Sequence, residues 1–164
     1  MTTMQIDVER FTVISSQLFR NVVTRLNAVI GHPDMNVFQS DIKTTKTLPE
    51  LEKVVHKAIG SSNLMEFIRF DLGEVLRKEL GEEAPQSLRL IVGNPLIMKE
   101  MVKLVPDAAS YAPVTILVDE RADGVHISYD RMATFLAPYG NIEALKVARD
   151  LDTKIEAMLI WIAS

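Results

Sequence analysis

Cysteine is absent from this 164-residue chain, and histidine occurs only three times. The lack of thiols excludes disulfides, thiolate nucleophiles and cysteine-based zinc or iron–sulfur sites, and it is compatible with a reducing cytoplasm. The three histidines, His32, His56 and His126, fall in separate predicted elements without the spacing of metal ligands. The sequence therefore predicts no metal site and no cofactor.

Excess positive charge and long apolar runs are also lacking. The formal net charge is −4 at pH 7, so the chain has no overall positive field that attracts phosphates. We therefore expect neither nucleic acid nor a membrane as a partner. No segment approaches the ~18 apolar residues of a membrane span, and the N-terminus lacks the basic start and apolar run of a signal peptide. These features predict a cytoplasmic, full-length protein.

The remaining composition is that of an ordinary globular domain. Hydrophobic residues make up 48% of the chain and charged residues 24%. A chain of this length buries roughly 68–70% of the surface that its unfolded form exposes, so its core needs no disulfide or metal. We predict a single domain over residues 1–164.

The first third of the sequence predicts a strand and two helices. Alternating β-branched and aromatic residues favour a strand over Gln5–Val13, and Ser15 or Ser16 is placed to cap the helix that follows and ends at Gly31. Residues 33–46 are polar and unpatterned, which predicts a loop insertion. A capping box, Thr47 to Glu50, opens the second helix.

The rest of the chain alternates strands with helices and contains one hairpin. The predicted strands are Leu64–Phe70, Ser87–Val92, Ala112–Asp119 and Gly124–Tyr129, and the predicted helices begin at Asp71, Asn94 and about Asn141. This order mixes crossover units with a hairpin. The prediction is an α+β domain with a mixed sheet of about five strands and helices packed over it.

Two strand-to-helix junctions are the candidate functional positions. Asp71 follows one strand and Asn94, in the turn Gly93-Asn94-Pro95, follows the next. Helix starts offer unpaired backbone N–H groups to a ligand, although Asp and Asn are also ordinary helix caps. We expect both junctions to open on the same edge of the sheet. With Met98, His126 and Tyr129 they form the predicted ligand-binding set.

Other residue patterns favour structural roles. His126, Ser128 and Asp130 alternate on one strand face, but residues two apart on a strand lie about 6.6–7 Å apart, too far for a hydrogen-bonded catalytic relay. A polar hairpin face is the better interpretation. Four methionines could line an apolar pocket, but we expect them to fill the core: Met65, Met98, Met101 and Met132.

Several segments resemble domain-of-unknown-function family 302. They are Leu90-Ile-Val-Gly-Asn-Pro-Leu-Ile97, Tyr111-Ala-Pro-Val-Thr-Ile-Leu-Val118 and Val125-His-Ile-Ser-Tyr-Asp-Arg131, with weaker likeness in residues 8–11, 22–26 and 148–154. The resemblance implies a compact α+β domain, often dimeric, without a settled activity. The family commonly has Asp-His where this chain has Asp71-Leu72, so no role of such a histidine is expected here.

The sequence leaves three functions open. The first is a non-enzymatic domain that binds a small organic molecule or a protein partner. The second is an enzyme that uses Asp71 or His126 as general acid or base near the turn at Asn94. The third is a structural subunit of a homo-oligomer without a pocket.

The end of the last helix predicts a homodimer. Over residues 157–162 every residue is apolar, so the helix presents hydrophobic surface all round, including Ile160 and Trp161. Symmetric dimers bury such patches. The alternative is that the chain's own N-terminal strand or the segment 33–46 covers them.

Overall fold

Five strands and seven α-helices form the protein, and the computed structural model describes all residues from 1 to 164. The strands are β1 (Arg10–Ser15), β2 (Met65–Asp71), β3 (Ser87–Gly93), β4 (Val114–Arg121) and β5 (Gly124–Asp130). The helices are α1 (Phe19–Val29), α2 (Met35–Thr44), α3 (Leu48–Ala58), α4 (Leu72–Leu80), α5 (Pro95–Val102), α6 (Met132–Leu136) and α7 (Ile142–Ala163). Short 3₁₀ turns follow α5 and α6.

The strands form one sheet in the order β1-β5-β4-β3-β2. The α+β class and the five strands are confirmed, but the predicted mixed sheet is wrong, since all four pairings are antiparallel. The helix that connects β2 to β3 is shorter than the strand before it. Helix α4 has 9 residues and is about 13 Å long, whereas the 7 residues of β2 span about 23 Å. The helix turns the chain at the end of the sheet, and β3 runs back beside β2.

One face of the sheet carries the hydrophobic core. Alternate residues of the three middle strands point to this face and pack against α1 and α7. Helix α7 presents a stripe of buried residues along its length. Neither α7 nor any other helix has the length and hydrophobicity of a membrane-spanning segment. Burying a large aliphatic side chain contributes about 1.5–3 kcal/mol, so this layer supplies most of the hydrophobic stabilisation.

The opposite face is outside the core. It carries the other half of the alternating side chains, among them Arg89, Thr115, Leu117, Ser128 and Asp130. None of them belongs to a hydrophobic cluster. We call this side the open face.

The predicted loop at residues 33–46 is wrong. Helix α2 occupies most of it, and the Asp34 side chain accepts hydrogen bonds from the backbone N–H groups of Asn36 and Val37. Phe38 is buried in a second small cluster with residues of α3 and β2. The apolar residues Met35, Phe38 and Ile42 have helical spacing, a signal that the surrounding polar residues obscured.

The first strand and helix are displaced from their predicted bounds. Strand β1 starts at Arg10 and continues to Ser15, because its ladder with β5 runs from Asp130 to Val125. Ser15 therefore belongs to the strand, and its hydroxyl donates to the Ala163 carbonyl. Helix α1 begins at Phe19 without a side-chain cap, so neither Ser15 nor Ser16 caps it.

Candidate functional site

Asp71 and Asn94 lie at opposite ends of neighbouring strands. Asp71 pairs with Leu88 near the start of β3, whereas Asn94 follows the end of β3, where Gly93 pairs with Met65. The prediction that both open on one edge is wrong, because β2 and β3 are antiparallel and their C-terminal ends point in opposite directions. A single pocket cannot contain both junctions.

Asn94 is a buried helix cap whose side-chain oxygen and nitrogen are both hydrogen-bonded within the chain. Its Oδ1 accepts from the Leu96 N–H at 2.9 Å, and its Nδ2 donates to the Asn63 carbonyl at 3.0 Å. The cavity that it lines with Met98 has a volume of about 10 Å³, about the room for one water molecule. The geometry at this junction is that of a structural turn.

Asp71 also acts as a cap, but on the surface. Its carboxylate accepts from the Glu74 N–H at 2.9 Å and lies 3.6 Å from the Arg77 guanidinium. The side chain is 53% exposed. Asp71 thus starts α4 and has no basic or nucleophilic partner beyond Arg77.

His126, Ser128 and Asp130 share the open face but do not bond to one another. His126 Nε2 lies 2.8 Å from Asp123, and this hydrogen bond lowers the pKa of the Asp123 carboxyl. Ser128 bonds to Thr12 at 3.1 Å, and Asp130 accepts from Arg10 at 2.7 Å. The polar-face interpretation is confirmed. No group of three or more His, Asp or Glu side chains is arranged to hold a metal ion.

Tyr129 points to the core face and bonds to a buried carboxylate. Its hydroxyl donates to Asp152 of α7 at 2.5 Å. The same carboxylate accepts from the N–H groups of Met132 and Ala133 at 2.7 and 3.0 Å. Asp152 therefore caps α6 from another helix. Burial raises the pKa of the Asp152 carboxyl, against the lowering effect of these hydrogen bonds.

The largest concave surface is a trough on the open face. Two adjoining grooves of about 360 and 290 Å³ share Arg89, Thr115 and Asp130. Their floor is built by strand register, since Arg89 pairs with Leu117 and Leu117 with Ser128. We call the two grooves together the open-face trough.

The open-face trough contains one unpaired cation. Arg10 and Asp130 neutralise each other through two hydrogen bonds of 2.7 and 2.9 Å. Arg89 forms no ion pair, unlike the arginines at 10, 69, 77, 121 and 131. Its one side-chain hydrogen bond, to Thr115 Oγ1, measures 3.5 Å. The trough is therefore electropositive at Arg89.

Aromatic side chains form one end of the trough. Tyr111 and Phe135 both line it and stack with ring centroids 4.9 Å apart and an interplanar angle of 14°. The Tyr111 hydroxyl bonds to that of Tyr139 at 2.9 Å, which fixes the ring. At the other end lies Leu72, the first residue of α4. The trough thus joins two apolar ends through a cationic middle.

Of the five predicted site residues, only Tyr129 borders this trough, and it does so through the strand backbone, because its side chain is buried on the core face. Arg89 and Thr115 were not predicted. Their only sequence signal is alternation, since each lies between buried residues of its strand, and an outward-facing Arg normally indicates a solvated face. Only the register between β3 and β4 shows that they meet.

The family model for the domain of unknown function DUF302 matches residues 40–162. The chain belongs to the DUF302 family. The matched region contains Arg89, Thr115, Tyr111 and Phe135, and of the residues discussed for the trough only Arg10 lies outside it. The resemblance seen in the sequence is thereby confirmed.

A crystal structure of an uncharacterised conserved DUF302 protein from Bacillus stearothermophilus is similar to this chain. The TM-score is 0.63 and the identity 13%, and the match covers 94% of this chain and 98% of that one. At this identity the likeness shows the DUF302 fold alone. No curated protein matches the chain.

Proposed function

We propose that this DUF302 domain binds a small organic molecule in the open-face trough without catalysing a reaction on it. The observation that carries the proposal is the size and placement of the trough. Its grooves of about 360 and 290 Å³ lie near the lower limit for ligand pockets, about 300 Å³. The cavity that Asn94 lines with Met98 holds only about 10 Å³, and a second groove beside Asn94, of about 270 Å³, is smaller than either groove of the trough.

The rigid floor supports binding. The trough lies on β3, β4 and β5, which are paired on both sides within the sheet. The backbone of such strands loses little freedom when a ligand arrives, which favours affinity. The ligand therefore meets a surface that is already formed.

The distribution of reactive groups favours binding over catalysis. An enzyme at the Asn94 turn needs Asp71 or His126 within hydrogen-bond reach of the same substrate. Asp71 lies at the other end of β2, and His126 lies near the start of β5, also away from that turn. The trough itself contains the paired Asp130 and no histidine.

Amide chemical shifts measured by NMR test the proposal. We expect a panel of small organic molecules of mixed charge to perturb residues around Thr115. Thr115→Trp fills the middle of the trough and should abolish these shifts. Ile14→Trp is the matched control, since Ile14 is on the same face, 53% exposed and outside the trough. Shifts that map elsewhere, or that survive Thr115→Trp, would contradict the proposal.

A homodimer through the end of α7 is a second proposal. Ile160 and Trp161 are 55% and 50% exposed. Arg25 lies 4.6 Å above the Trp161 ring and Ser15 bonds to the helix end, so the chain's own coverage is partial. A protein surface of this kind is typical of self-association.

Sedimentation at micromolar concentration tests the dimer. We expect a wild-type dimer that Ile160→Asp with Trp161→Asp converts to a monomer. The control is Val75→Asp, which places the same charge on the exposed apolar side of α4. A wild-type monomer would refute the dimer, and dissociation by Val75→Asp alone would move the interface to α4.

A further inference from the structure

The open-face trough combines features that select one chemical class of ligand. We infer that it binds an organic carboxylate with a flat apolar body, the carboxylate on Arg89 and the body toward Tyr111 and Phe135. This inference rests on the proposed function, because it names the ligand of the same trough.

Arg89 is the anchor because its charge has no internal partner. Its neighbours across the strands, Phe70 on β2 and Leu117 on β4, are uncharged, as is its hydrogen-bond partner Thr115. The nearby carboxylate of Asp130 is held by Arg10 through two hydrogen bonds. An added anion at Arg89 therefore displaces no existing ion pair.

The planar guanidinium favours a carboxylate. Its N–H groups match the two oxygens of a carboxylate in a parallel fork, and such charge-assisted bonds are roughly twice as strong as neutral ones. Thr115 Oγ1 lies 3.5 Å from one guanidinium nitrogen, so its hydroxyl is placed to donate to the same carboxylate.

The aromatic end fits a flat apolar body. The rings of Tyr111 and Phe135 lie nearly parallel, and Pro113 and Ile91 line the same groove. A ligand ring gains most by offset stacking or by an edge contact on such a wall. Because Arg89 lines this groove as well, one small molecule can reach both the cation and the rings.

Titration with 2-naphthoate, followed by amide chemical shifts, tests the inference, and 2-naphthamide is the neutral probe of equal shape. We expect 2-naphthoate to perturb residues near Arg89 and Phe135. It should bind about tenfold more tightly than 2-naphthamide, because a charge-assisted hydrogen bond is more favourable than a neutral one by a free energy of about that size. Added salt should weaken the binding of 2-naphthoate and leave the binding of 2-naphthamide unchanged.

Three variants identify the anchor. Arg89→Gln should reduce the affinity for 2-naphthoate about tenfold and leave the affinity for 2-naphthamide unchanged. The affinity of Arg89→Lys for 2-naphthoate should lie between those of the wild type and Arg89→Gln, because lysine keeps the charge but lacks the planar guanidinium that binds both carboxylate oxygens. Arg149→Gln removes the same charge from an exposed arginine on α7, which packs on the other face of the sheet. It should change neither affinity.

The outcomes separate this inference from the proposed function. Equal affinity for both probes, or full naphthoate affinity in Arg89→Gln, overturns the carboxylate assignment and leaves a trough that binds neutral molecules. If neither probe shifts trough residues, and the mixed panel also fails, both the inference and the proposed function are refuted. If the panel binds and both naphthyl probes fail, only the inference is refuted.

Discussion

The two faces of the sheet are built from the same strands but differ in the surroundings of their side chains. On the core face Ile116 is fully buried among α1 and α7 residues, while its chain neighbour Leu117 points to the open face and lines the trough. Alternation assigns each residue to one face. The core face supplies the stability and the open face carries the proposed recognition surface, so substitutions on the two faces should have separable effects.

The strongest test of this separation is a pair of neighbouring substitutions. Ile116→Ala leaves a cavity in a close-packed core and should lower the free energy of unfolding by about 2–5 kcal/mol. Leu117→Ala removes a half-buried side chain from outside the core and should cost less than about 1.5 kcal/mol. Urea denaturation measures both. Equal losses would break the comparison.

A polar change on the core face should come next in size. Asp152→Ala removes the acceptor for Tyr129 and for the N–H groups of Met132 and Ala133. Buried donors left without a partner cost about 1–3 kcal/mol. Asp150→Ala is the control, because that carboxylate is 61% exposed and pairs only with Lys146. A similar loss in both variants would show that the Asp152 contacts contribute little.

The helix caps Asn94 and Asp71 test whether the burial of a cap or its residue type determines the stability lost when it is removed. Asn94→Ala should lower the free energy of unfolding by about 0.5–2 kcal/mol, toward the upper value because the bond to Asn63 is lost as well. Asp71→Ala, at an exposed cap, should fall toward the lower value. Thermal or chemical melts of both variants measure the two losses. A larger loss in Asp71→Ala would show that the residue type of the cap matters more than its burial.

The smallest expected effect is a pH dependence from Asp152. Its pKa is raised by burial, so the folded protein holds this proton more tightly than the unfolded chain, whose Asp pKa is about 3.9. The resulting stabilisation is present below that value and is lost as the pH rises through the raised pKa. Relative to Asp152→Asn, the wild type should lose stability across this window. A constant difference would mean that the pKa is not raised.

Sequence patterns predicted the features that depend on residues close together in the chain. The caps at Thr47, Asp71 and Asn94 were predicted and are present, because each depends on residues within one helical turn. The hairpin of β4 and β5 was predicted for the same reason. The class of fold follows from the order of such elements.

Contacts between distant segments could not be predicted in this way. Asp152 reaches Met132 across 20 positions of the chain, and no spacing rule connects them. The antiparallel direction of β2 and β3 separated two junctions that local reasoning had joined. The trough needs the register of β1, β5, β4 and β3 together, which alternation within one strand does not contain.

The attachment of α6 to α7 has a consequence for the order of folding. Helix α6 has 5 residues, far fewer than the ~12–15 that an isolated helix needs in water. Its first N–H groups find this acceptor only when Asp152 is in place, so we expect α6 to form only after α7 has docked. We therefore expect Phe135, which α6 carries, to reach its position beside Tyr111 only after this docking, and we expect detachment of the C-terminal helix to disturb the aromatic wall.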